Sequence, residues 1–350
     1  MSKKKVLIII EDMSSKGGTE RVASFLYSWL NREQYDVSLL SKKKERKDYS
    51  YGLKESDVDL LKENSLSELA KYIKSCKPDV IIPISMGRLT FQMTVLRILH
   101  CFRFKVIASE HVGFCNSSLT KRFVKLLSYN FCNRLVLLTE RDRRIIDRFI
   151  YTKAEVIPNS TSFEMADEGI LEKKTNRIIM VGRLTYQKNI ARAIKIWSDI
   201  SRDNWSLQII GDGEDLSNLK DLANQLGVSD SVEFKPFSEN IDNYYREASC
   251  LILTSRYEGL PLVLIESKFF ATPSIAFDCV TGPRELIQSN DEGFLIDYHD
   301  DGGFGHALTI FINSEHLRRE LQLGALRSSE RYSKGYVIER WHSAIQETLS

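Results

Sequence analysis

The sequence predicts an α/β protein made of two doubly wound domains, each built on a parallel sheet. Short apolar runs, typical of buried parallel strands, alternate along the chain with segments whose apolar residues recur at helical spacing. This alternation indicates successive βα units. With 350 residues, the chain is long enough for two domains that each bury a core.

The first half contains apolar runs that we interpret as strands, separated by amphipathic segments that we interpret as helices. The predicted strands are 4–10, 35–41, 79–85, 105–111, 134–140 and 154–160. The predicted helices are 21–30, 65–76, 88–102, 121–133 and 141–150. Residues 42–64 are polar and rich in charge, so we expect them to be exposed.

The second half repeats this pattern after a boundary near Pro158-Asn159. Its predicted strands are 176–181, 205–210, 231–237, 249–255, 273–278 and 293–297. Its predicted helices are 189–200, 215–226, 241–248, a helix that begins at Pro261, 282–288 and a helical tail from about Gly302.

The amino terminus and the cysteines favour an intracellular protein. The run Val6 to Ile10 follows three lysines but is too short for a signal peptide and ends in Glu11-Asp12, so it is better interpreted as a first strand. No segment has the roughly 18 apolar residues of a membrane span. The six cysteines are scattered and form no C-x-x-C pair, which predicts free thiols and no zinc site. We therefore expect a cytoplasmic location.

Charge is divided unequally between the two halves. Residues 1–157 contain 29 Lys and Arg against 18 Asp and Glu, a net charge of +11, although the whole chain has a net charge of only +2. The basic half is expected to meet an anionic partner, which could be nucleic acid, phospholipid or a phosphorylated substrate. Nucleic acid is disfavoured because no recognition motif accompanies the charge.

Ligands of such sheets bind outside the carboxyl ends of the strands, so the loops after strands carry the candidate site. Gly17-Gly18 follows the first strand and precedes a helix, which suits either an anion at a helix N-terminus or a plain tight turn. Arg183 and Lys188 lie in the loop before a helix. They could form a diphosphate site, and the alternative is that they belong to a solvated basic loop. His111 ends a strand, as a substrate ligand or as a structural histidine.

The segment "EGLPLVLIE" places two carboxylates eight positions apart. Glu258 precedes Gly259, Leu260, Pro261 and Leu262, and Glu266 lies within the apolar run that follows. A carboxylate buried among apolar neighbours needs hydrogen-bond donors, and the paired hydroxyls of a ribose would supply them. The alternative is a surface pair that flanks a core helix.

Two other motifs are set aside. The glycines of "IIGDGEDL" lack the third glycine of the dinucleotide fingerprint, because Leu216 occupies that position. The D-x-D of residues 57–59 resembles a metal-binding motif, but no strong strand precedes it. We predict no metal site.

Taken together, these motifs resemble the retaining glycosyltransferases of family 4, which have the GT-B fold. "EGLPLVLIE" is similar to the family's E-x7-E motif, and Arg183 and Lys188 match its Arg and Lys before the helix. "GGTERVA", "VIPNS" and "DCVTGPRELI" also stand where the family has similar segments. The last of these resembles bacterial enzymes of O-antigen, capsule and lipid-linked glycan assembly.

The resemblance implies two Rossmann-like domains facing a cleft, at 1–157 and 158–334, with a final helix at about 335–350 that packs on the first. It implies that Glu258 binds the donor sugar, that Glu266 binds the ribose, and that Arg183 and Lys188 hold the diphosphate. Gly17 and Gly18 would close the phosphate side, His111 would lie near the sugar, and Gly259, Leu260, Pro261 and Leu262 would line the nucleotide site.

The function that this resemblance implies is transfer of a sugar from a UDP-hexose or UDP-N-acetylhexosamine, with retention and without a metal, to a glycan or polyprenyl-linked acceptor. A non-catalytic GT-B subunit and a GT-B sugar-nucleotide epimerase remain alternatives. We also expect peripheral contact with the anionic inner face of the membrane. That contact would use Arg97, Arg103, Lys105, Lys121, Arg122 and Lys125. The alternative is that the apolar residues between these cations face the core, and that the cations lie on the solvent-exposed sides of two helices.

Overall fold

A computed structural model describes residues 3–15, 17–30, 34–49, 51–85, 87–111, 114 and 117–350. The chain divides into two compact units. Met1–Ser160 together with Lys334–Ser350 form the first unit, and Thr161–Ser333 form the second. The break lies between Ser160 and Thr161, where the sequence had suggested residues 157 and 158.

The first unit contains a parallel sheet with strand order β3-β2-β1-β4-β5-β6-β7 among its described residues. The strands are β1 (Lys4–Asp12), β2 (Tyr35–Lys43), β3 (Asp59–Leu60), β4 (Val80–Ser85), β5 (Lys105–Glu110), β6 (Arg134–Leu137) and β7 (Ala154–Val156). The helices are α1 (Gly18–Trp29), α2 (Leu66–Cys76), α3 (Arg88–Leu99), α4 (Leu119–Tyr129) and α5 (Glu140–Ile146).

The second unit contains a parallel sheet with strand order β10-β9-β8-β11-β12-β13. The strands are β8 (Thr175–Val181), β9 (Ser206–Ile210), β10 (Val232–Lys235), β11 (Ala248–Leu253), β12 (Ser274–Asp278) and β13 (Gly293–Asp297). The helices are α6 (Ile190–Asp199), α7 (Leu216–Gln225), α8 (Ile241–Glu247), α9 (Leu262–Lys268), α10 (Pro283–Leu286), α11 (Asp301–Asn313) and α12 (Glu315–Ser328).

The first sheet is buried on both faces, which explains why β1 is a continuous apolar run. Val6 and Ile8 belong to one core cluster, and Leu7 and Ile9 to the other, as expected when successive side chains of a strand point to opposite faces. The last helix, α13 (Lys334–Leu349), contributes Val337, Trp341, Ala344 and Ile345 to the cluster that contains Val6. The carboxyl terminus of the chain is therefore part of the first unit's core.

Side-chain caps fix the starts of several helices. Ser65, Thr139 and Ser314 each accept a hydrogen bond from a backbone N–H in the first turn, of α2, α5 and α12 respectively. Each cap satisfies an N–H that the helix itself leaves unpaired.

The expectation that residues 42–64 are exposed is wrong in part. Lys42 belongs to β2 and is buried, and its ammonium lies 3.5 Å from a carboxylate oxygen of Glu11. Val58 and Leu61 are also buried and complete the core near β3. A few apolar residues within a polar connection are enough to attach it to the sheet edge.

Each sheet has one point where the strand order reverses. In the first unit β1 lies between β2 and β4, and in the second unit β8 lies between β9 and β11. Ligands of doubly wound folds bind at this switch point, outside the carboxyl ends of the strands. The loops that follow β8 and β11 are therefore the place to look for a site in the second unit.

The described residues form helices of moderate length and contain several free thiols. None of the helices they form is both long and apolar enough to cross a bilayer. Free thiols are found at Cys76, Cys101, Cys132, Cys250 and Cys279, and Cys115 lies outside the described residues.

Candidate functional site

The loops after β8 and β11 meet through an ion pair. Lys188 Nζ, from the first loop, donates to Glu258 Oε1, from the second, over 2.7 Å. Both side chains are largely shielded from solvent, so the pair is held in one geometry. Two of the residues that the sequence assigned to one site are therefore in direct contact at the switch point.

Further bonds hold the two loops together. The Arg256 N–H donates to the Gln187 carbonyl over 2.8 Å, and Thr254 Oγ1 donates to the Asn189 carbonyl over 3.0 Å. The Arg256 guanidinium also lies over the Tyr186 ring, 4.1 Å from its centroid. The position of the Lys188 ammonium beside the Glu258 carboxylate is thus set by the backbone of both loops.

The G-x-G after β9 has a packing role that the sequence did not reveal. Gly211 has a φ of +149°, and a Cβ there would lie 1.9 Å from the Gly182 carbonyl oxygen. Only glycine fits at such a distance, so the two loops approach backbone to backbone. Close packing therefore explains why residue 211 is glycine, and no role in dinucleotide binding is needed.

Glu266 lies on α9 and is fully buried. Its Oε2 accepts a hydrogen bond of 2.9 Å from the Tyr245 hydroxyl, and the Tyr245 ring stacks on Phe270. The sequence did not identify Tyr245. Its position in the predicted helix 241–248 gave no sign of a hydroxyl bonded to this carboxylate.

The segment that joins Glu258 to Glu266 is mostly buried. Gly259 is half-buried, whereas Leu260, Pro261 and Leu262 are buried. Pro261 is the N-cap residue of α9, one position before the first turn in which the sequence had placed it. The Glu258 carbonyl accepts a hydrogen bond from Thr281 Oγ1, so the loop after β12 braces this segment.

Arg183 differs from Lys188 in having no partner among the described residues. It is exposed, and within the described part of the chain it makes no ion pair or hydrogen bond. It follows β8 directly and precedes Lys188 in the same loop. Its guanidinium is therefore available to an anion at the switch point of this unit.

In the first unit His111 directly follows β5 and is half-buried. Its Nε2 lies 2.9 Å from Ser109 Oγ, and burial lowers the pKa of His111 to about 4. It lines a small pocket together with Phe25, Leu138, Asn159 and Trp341. The imidazole is consequently neutral at pH 7 and faces a pocket that is built partly by α13.

Gly17 and Gly18 stand at the start of α1, where Gly17 is the N-cap residue. The Glu20 carboxylate, buried in the same turn, accepts hydrogen bonds from the Gly17 and Glu20 N–H groups and from Thr19 Oγ1. Burial raises the pKa of Glu20. Glu20 was not among the predicted site residues, and its carboxylate lies where the predicted phosphate would bind.

One of the six cations expected at the first unit's basic surface is misassigned. Lys125 is buried, with its ammonium 3.0 Å from a carboxylate oxygen of Glu110. Arg97 donates to Asn133 Oδ1 over 2.8 Å and to the Phe131 carbonyl. Arg103 and Lys121 are exposed, as expected, and Lys105 and Arg122 are half-buried.

No metal cluster is found where the structure describes the chain: no three His, Cys, Asp or Glu side chains there are grouped to hold an ion. The Asp57–Asp59 motif is used locally instead. Asp57 accepts a hydrogen bond from the Lys54 N–H over 2.8 Å, and Asp59 accepts one from the Tyr72 hydroxyl.

Comparison with known proteins supplies the family. Residues 162–325 match the family described as glycosyl transferases group 1. The amylovoran biosynthesis glycosyltransferase AmsD of Erwinia amylovora is 35% identical over 97% of this chain and 99% of its own length. The chain belongs to the group 1 glycosyl transferases.

A second relative agrees with this family, and a solved structure agrees with the fold. A glycosyltransferase of Campylobacter jejuni is 28% identical over 98% of both chains. It is named as the α-1,4-N-acetyl-D-galactosaminyltransferase of GalNAc-α-(1→4)-GalNAc-α-(1→3)-diNAcBac-PP-undecaprenol. The pneumococcal O-GlcNAc transferase GtfA, solved with UDP and GlcNAc, superposes with a TM-score of 0.81 over 100% of both chains at 11% identity. The predicted GT-B fold is confirmed, as is the predicted glycosyltransferase class.

Proposed function

We propose that this glycosyltransferase moves a sugar, with retention of its anomeric configuration, from a UDP-hexose or UDP-N-acetylhexosamine to a glycan or lipid-linked glycan in bacterial surface polysaccharide synthesis. The observation that supports it best is the Lys188–Glu258 pair at the switch point of the second unit. A cation and a carboxylate held side by side suit a ligand that has both a diphosphate and sugar hydroxyls. A nucleotide sugar has both groups.

The two cations of the β8 loop would act on the leaving group. Transfer breaks the bond between the anomeric carbon and the diphosphate, and the leaving diphosphate gains negative charge as the sugar becomes oxocarbenium-like. Arg183 is exposed and unpaired among the described residues, and Lys188 could exchange its bond to Glu258 for one to phosphate. Cations placed on the developing charge stabilise the transition state and would make a metal ion unnecessary.

The two carboxylates would orient the donor. Glu258 would accept hydrogen bonds from hydroxyls of the transferred sugar, beside the accessible backbone of Gly259. Glu266 would accept them from the ribose, with Tyr245 fixing the direction of its carboxylate. Leu260, Pro261 and Leu262 would support the nucleotide from the buried side. No covalent carboxylate nucleophile is required if the leaving phosphate helps to deprotonate the acceptor on the same face.

The first unit would supply His111 and the Gly17-Gly18 turn. His111, neutral at pH 7, would hydrogen-bond the transferring sugar. A donor phosphate that approaches Gly17 and Gly18 would meet the Glu20 carboxylate, which would have to move away or be protonated first. The raised pKa of Glu20 makes protonation less costly than it would be for an exposed glutamate.

The proposed acceptor follows from the relatives. One is named for amylovoran synthesis and another for an undecaprenol-linked glycan, so a glycan or polyprenyl-linked acceptor fits this chain. Such an acceptor would require work at the cytoplasmic face of the membrane. The net charge of +11 in residues 1–157 supports peripheral contact with anionic lipid, and we propose no nucleic-acid partner.

A donor screen tests the site. Nucleotide sugars that bind the folded chain raise its melting temperature by mass action, so a panel of bases and sugars should give a clear response to one UDP-sugar. Glu266→Gln and Lys188→Ala should each weaken that binding by at least about tenfold, since each loses a charge-assisted hydrogen bond. Lys220→Ala, an exposed lysine on α7, is the matched control. Equal binding by all four proteins would refute the site.

A further inference from the structure

Helix α4 is turned so that a row of large apolar side chains faces outward. Leu119, Phe123 and Leu127 follow one another at four-residue spacing and therefore share one face. They are 80%, 69% and 48% exposed. Val124, on the same side, is also exposed. Large apolar side chains in a row on the outside of a helix are unusual unless something covers them.

The inward side of α4 holds a charge instead. Lys125 lies between the outward-facing residues in sequence, yet its side chain is only 4% exposed and pairs with Glu110, at 3% exposed, over 3.0 Å. Burial raises the pKa of Glu110, whereas the Lys125 charge lowers it. Tyr129 and the partly buried Leu126 of α4 pack on the core of the first unit, so the helix combines an apolar contact and a buried ion pair inside with an apolar row outside.

This rotation of α4 is fixed by the packing beneath it. A Cβ on Gly87 would lie 2.7 Å from both Cγ and Cε of Lys125, so the lysine stem fits only because residue 87 has no side chain. Turning α4 to bury Phe123 would leave the Glu110 carboxylate buried without its partner, which is strongly unfavourable. The exposed apolar face is thus specified by the sequence around it.

The apolar surface continues beyond α4. Asn130 Nδ2 donates to the Phe149 carbonyl over 3.3 Å, and the Tyr151 N–H donates to Asn130 Oδ1 over 2.8 Å. These bonds hold two exposed aromatic residues at the end of α4. The bonds of Arg97 to Asn133 and Phe131 bring the end of α3 to the same place. We call this surface the α4 face; its exposed apolar residues are Leu119, Phe123, Val124, Leu127, Phe131, Ile98, Leu99, Phe149 and Tyr151.

The segments that carry the α4 face are also the most basic of the chain. Residues 88–153 contain 13 Lys and Arg against 4 Asp and Glu, a net charge of +9. Arg103, Lys121, Arg144 and Arg148 are exposed. We propose that the α4 face docks on an anionic phospholipid surface, with Phe123 and its neighbours inserted among the acyl chains and these cations at the headgroups.

A lipid surface fits the α4 face better than a second copy of the chain. Two copies that met through this face would each bring the same excess of positive charge to the interface, and like charges placed together oppose association. An anionic bilayer complements that charge and accepts apolar side chains from a convex helix. The proposal goes beyond the transfer reaction, and its test needs no sugar donor.

The test is co-sedimentation of the full-length chain with vesicles of phosphatidylcholine, with or without about 30% phosphatidylglycerol. The wild-type chain should bind the anionic vesicles and bind neutral ones far less, with binding that weakens at high salt. Replacing Leu119, Phe123 and Leu127 together by serine should reduce binding at least about tenfold. A matched triple serine variant of Leu60, Met165 and Leu226, which are exposed apolar residues outside the α4 face, should bind like wild type.

Two further variants separate insertion from charge. Replacing Lys121, Arg144 and Arg148 by glutamine should abolish the preference for anionic vesicles. In Phe123→Trp, the emission of the new tryptophan is obtained by subtracting the wild-type spectrum. That emission should shift to the blue when anionic vesicles are added, because the new indole enters an apolar environment. The α4 serine variant should keep its melting temperature and, without vesicles, its turnover of a soluble acceptor. Failure of the transfer assay alone would therefore count against the proposed function and not against this face.

Two outcomes would overturn the proposal. One is equal vesicle binding by the wild type and the α4 serine variant. The other is a wild-type dimer that the serine variant converts to a monomer, with no vesicle binding by either, which would make the α4 face an interface between copies.

Discussion

At the scale of single residues, the partners of the predicted carboxylates explain how the site is held. Lys188 and Glu258 lie far apart in sequence but in the loops that follow the adjacent strands β8 and β11, and Tyr245 supplies a donor to the buried Glu266. The sequence predicted that Glu266 needs donors but assigned them only to a ribose. The spacing of apolar residues in the sequence reveals which side chains face the core. The hydroxyl that reaches a given carboxylate depends instead on how α8 and α9 pack.

Tyr245→Phe tests that hydroxyl. We expect donor binding to weaken by about 3- to 15-fold, because a carboxylate that loses a buried hydrogen bond is less well oriented, and stability to fall by about 1–2 kcal/mol. Tyr244→Phe, the adjacent residue of α8, is the control. Binding isotherms for the donor that the screen identifies give the measurement. Identical affinities for both variants would remove Tyr245 from the account.

His111 gives a prediction for pH. Burial lowers the pKa of His111 from an ordinary 6.5 to about 4, so between these values the unfolded chain binds more protons at this residue than the folded chain. The His111 contribution is therefore complete above pH 6.5 and is lost as pH falls to 4, with a slope of at most about 1.4 kcal/mol per pH unit. Denaturant titrations at pH 7 and pH 5 should show a smaller pH effect in His111→Gln. Equal pH effects would contradict the burial of this imidazole.

At the scale of elements, α13 returns from the end of the chain to the core of the first unit. Trp341 is buried there and also lines the pocket of His111. Trp341→Ala should destabilise the first unit by about 3–5 kcal/mol, because it leaves a large cavity. Trp29→Ala, which removes an exposed tryptophan of α1, should cost under about 1 kcal/mol. Calorimetry of both variants measures the difference, and similar losses would mean that α13 is not part of this core.

Helix α4 shows how an element can escape prediction. Its residue pattern identified a helix, and its amphipathic spacing allowed either a core face or a membrane face. The choice depended on Glu110, which lies on β5, and on Gly87, which follows β4. A pattern within one segment cannot identify the neighbour that pairs with its lysine, so the direction of α4 required the tertiary structure.

At the scale of the whole molecule, the fold follows from the order of strands and helices along the sequence. Continuous apolar runs such as Val6–Ile10 predict strands buried on both sides, and the loops after strands predict where ligands bind. Both features depend on local sequence and predict two doubly wound domains, whereas the GT-B fold was implied by the family resemblance and is confirmed by the solved structures. The Glu20 carboxylate at the Gly17-Gly18 turn was not predicted, because it depends on a side chain folding back on its own helix terminus.

Sugar transfer in excess EDTA tests the central claim most directly. The wild-type chain, given the UDP-sugar selected by the donor screen and a lipid-linked glycan acceptor, should transfer the sugar at an undiminished rate if Arg183 and Lys188 stabilise the leaving diphosphate as proposed. Arg183→Ala should lower that rate by about 100-fold while its stability stays within about 0.5 kcal/mol of wild type, and Lys220→Ala should change neither. Loss of wild-type transfer in EDTA, restored by manganese, would contradict the account.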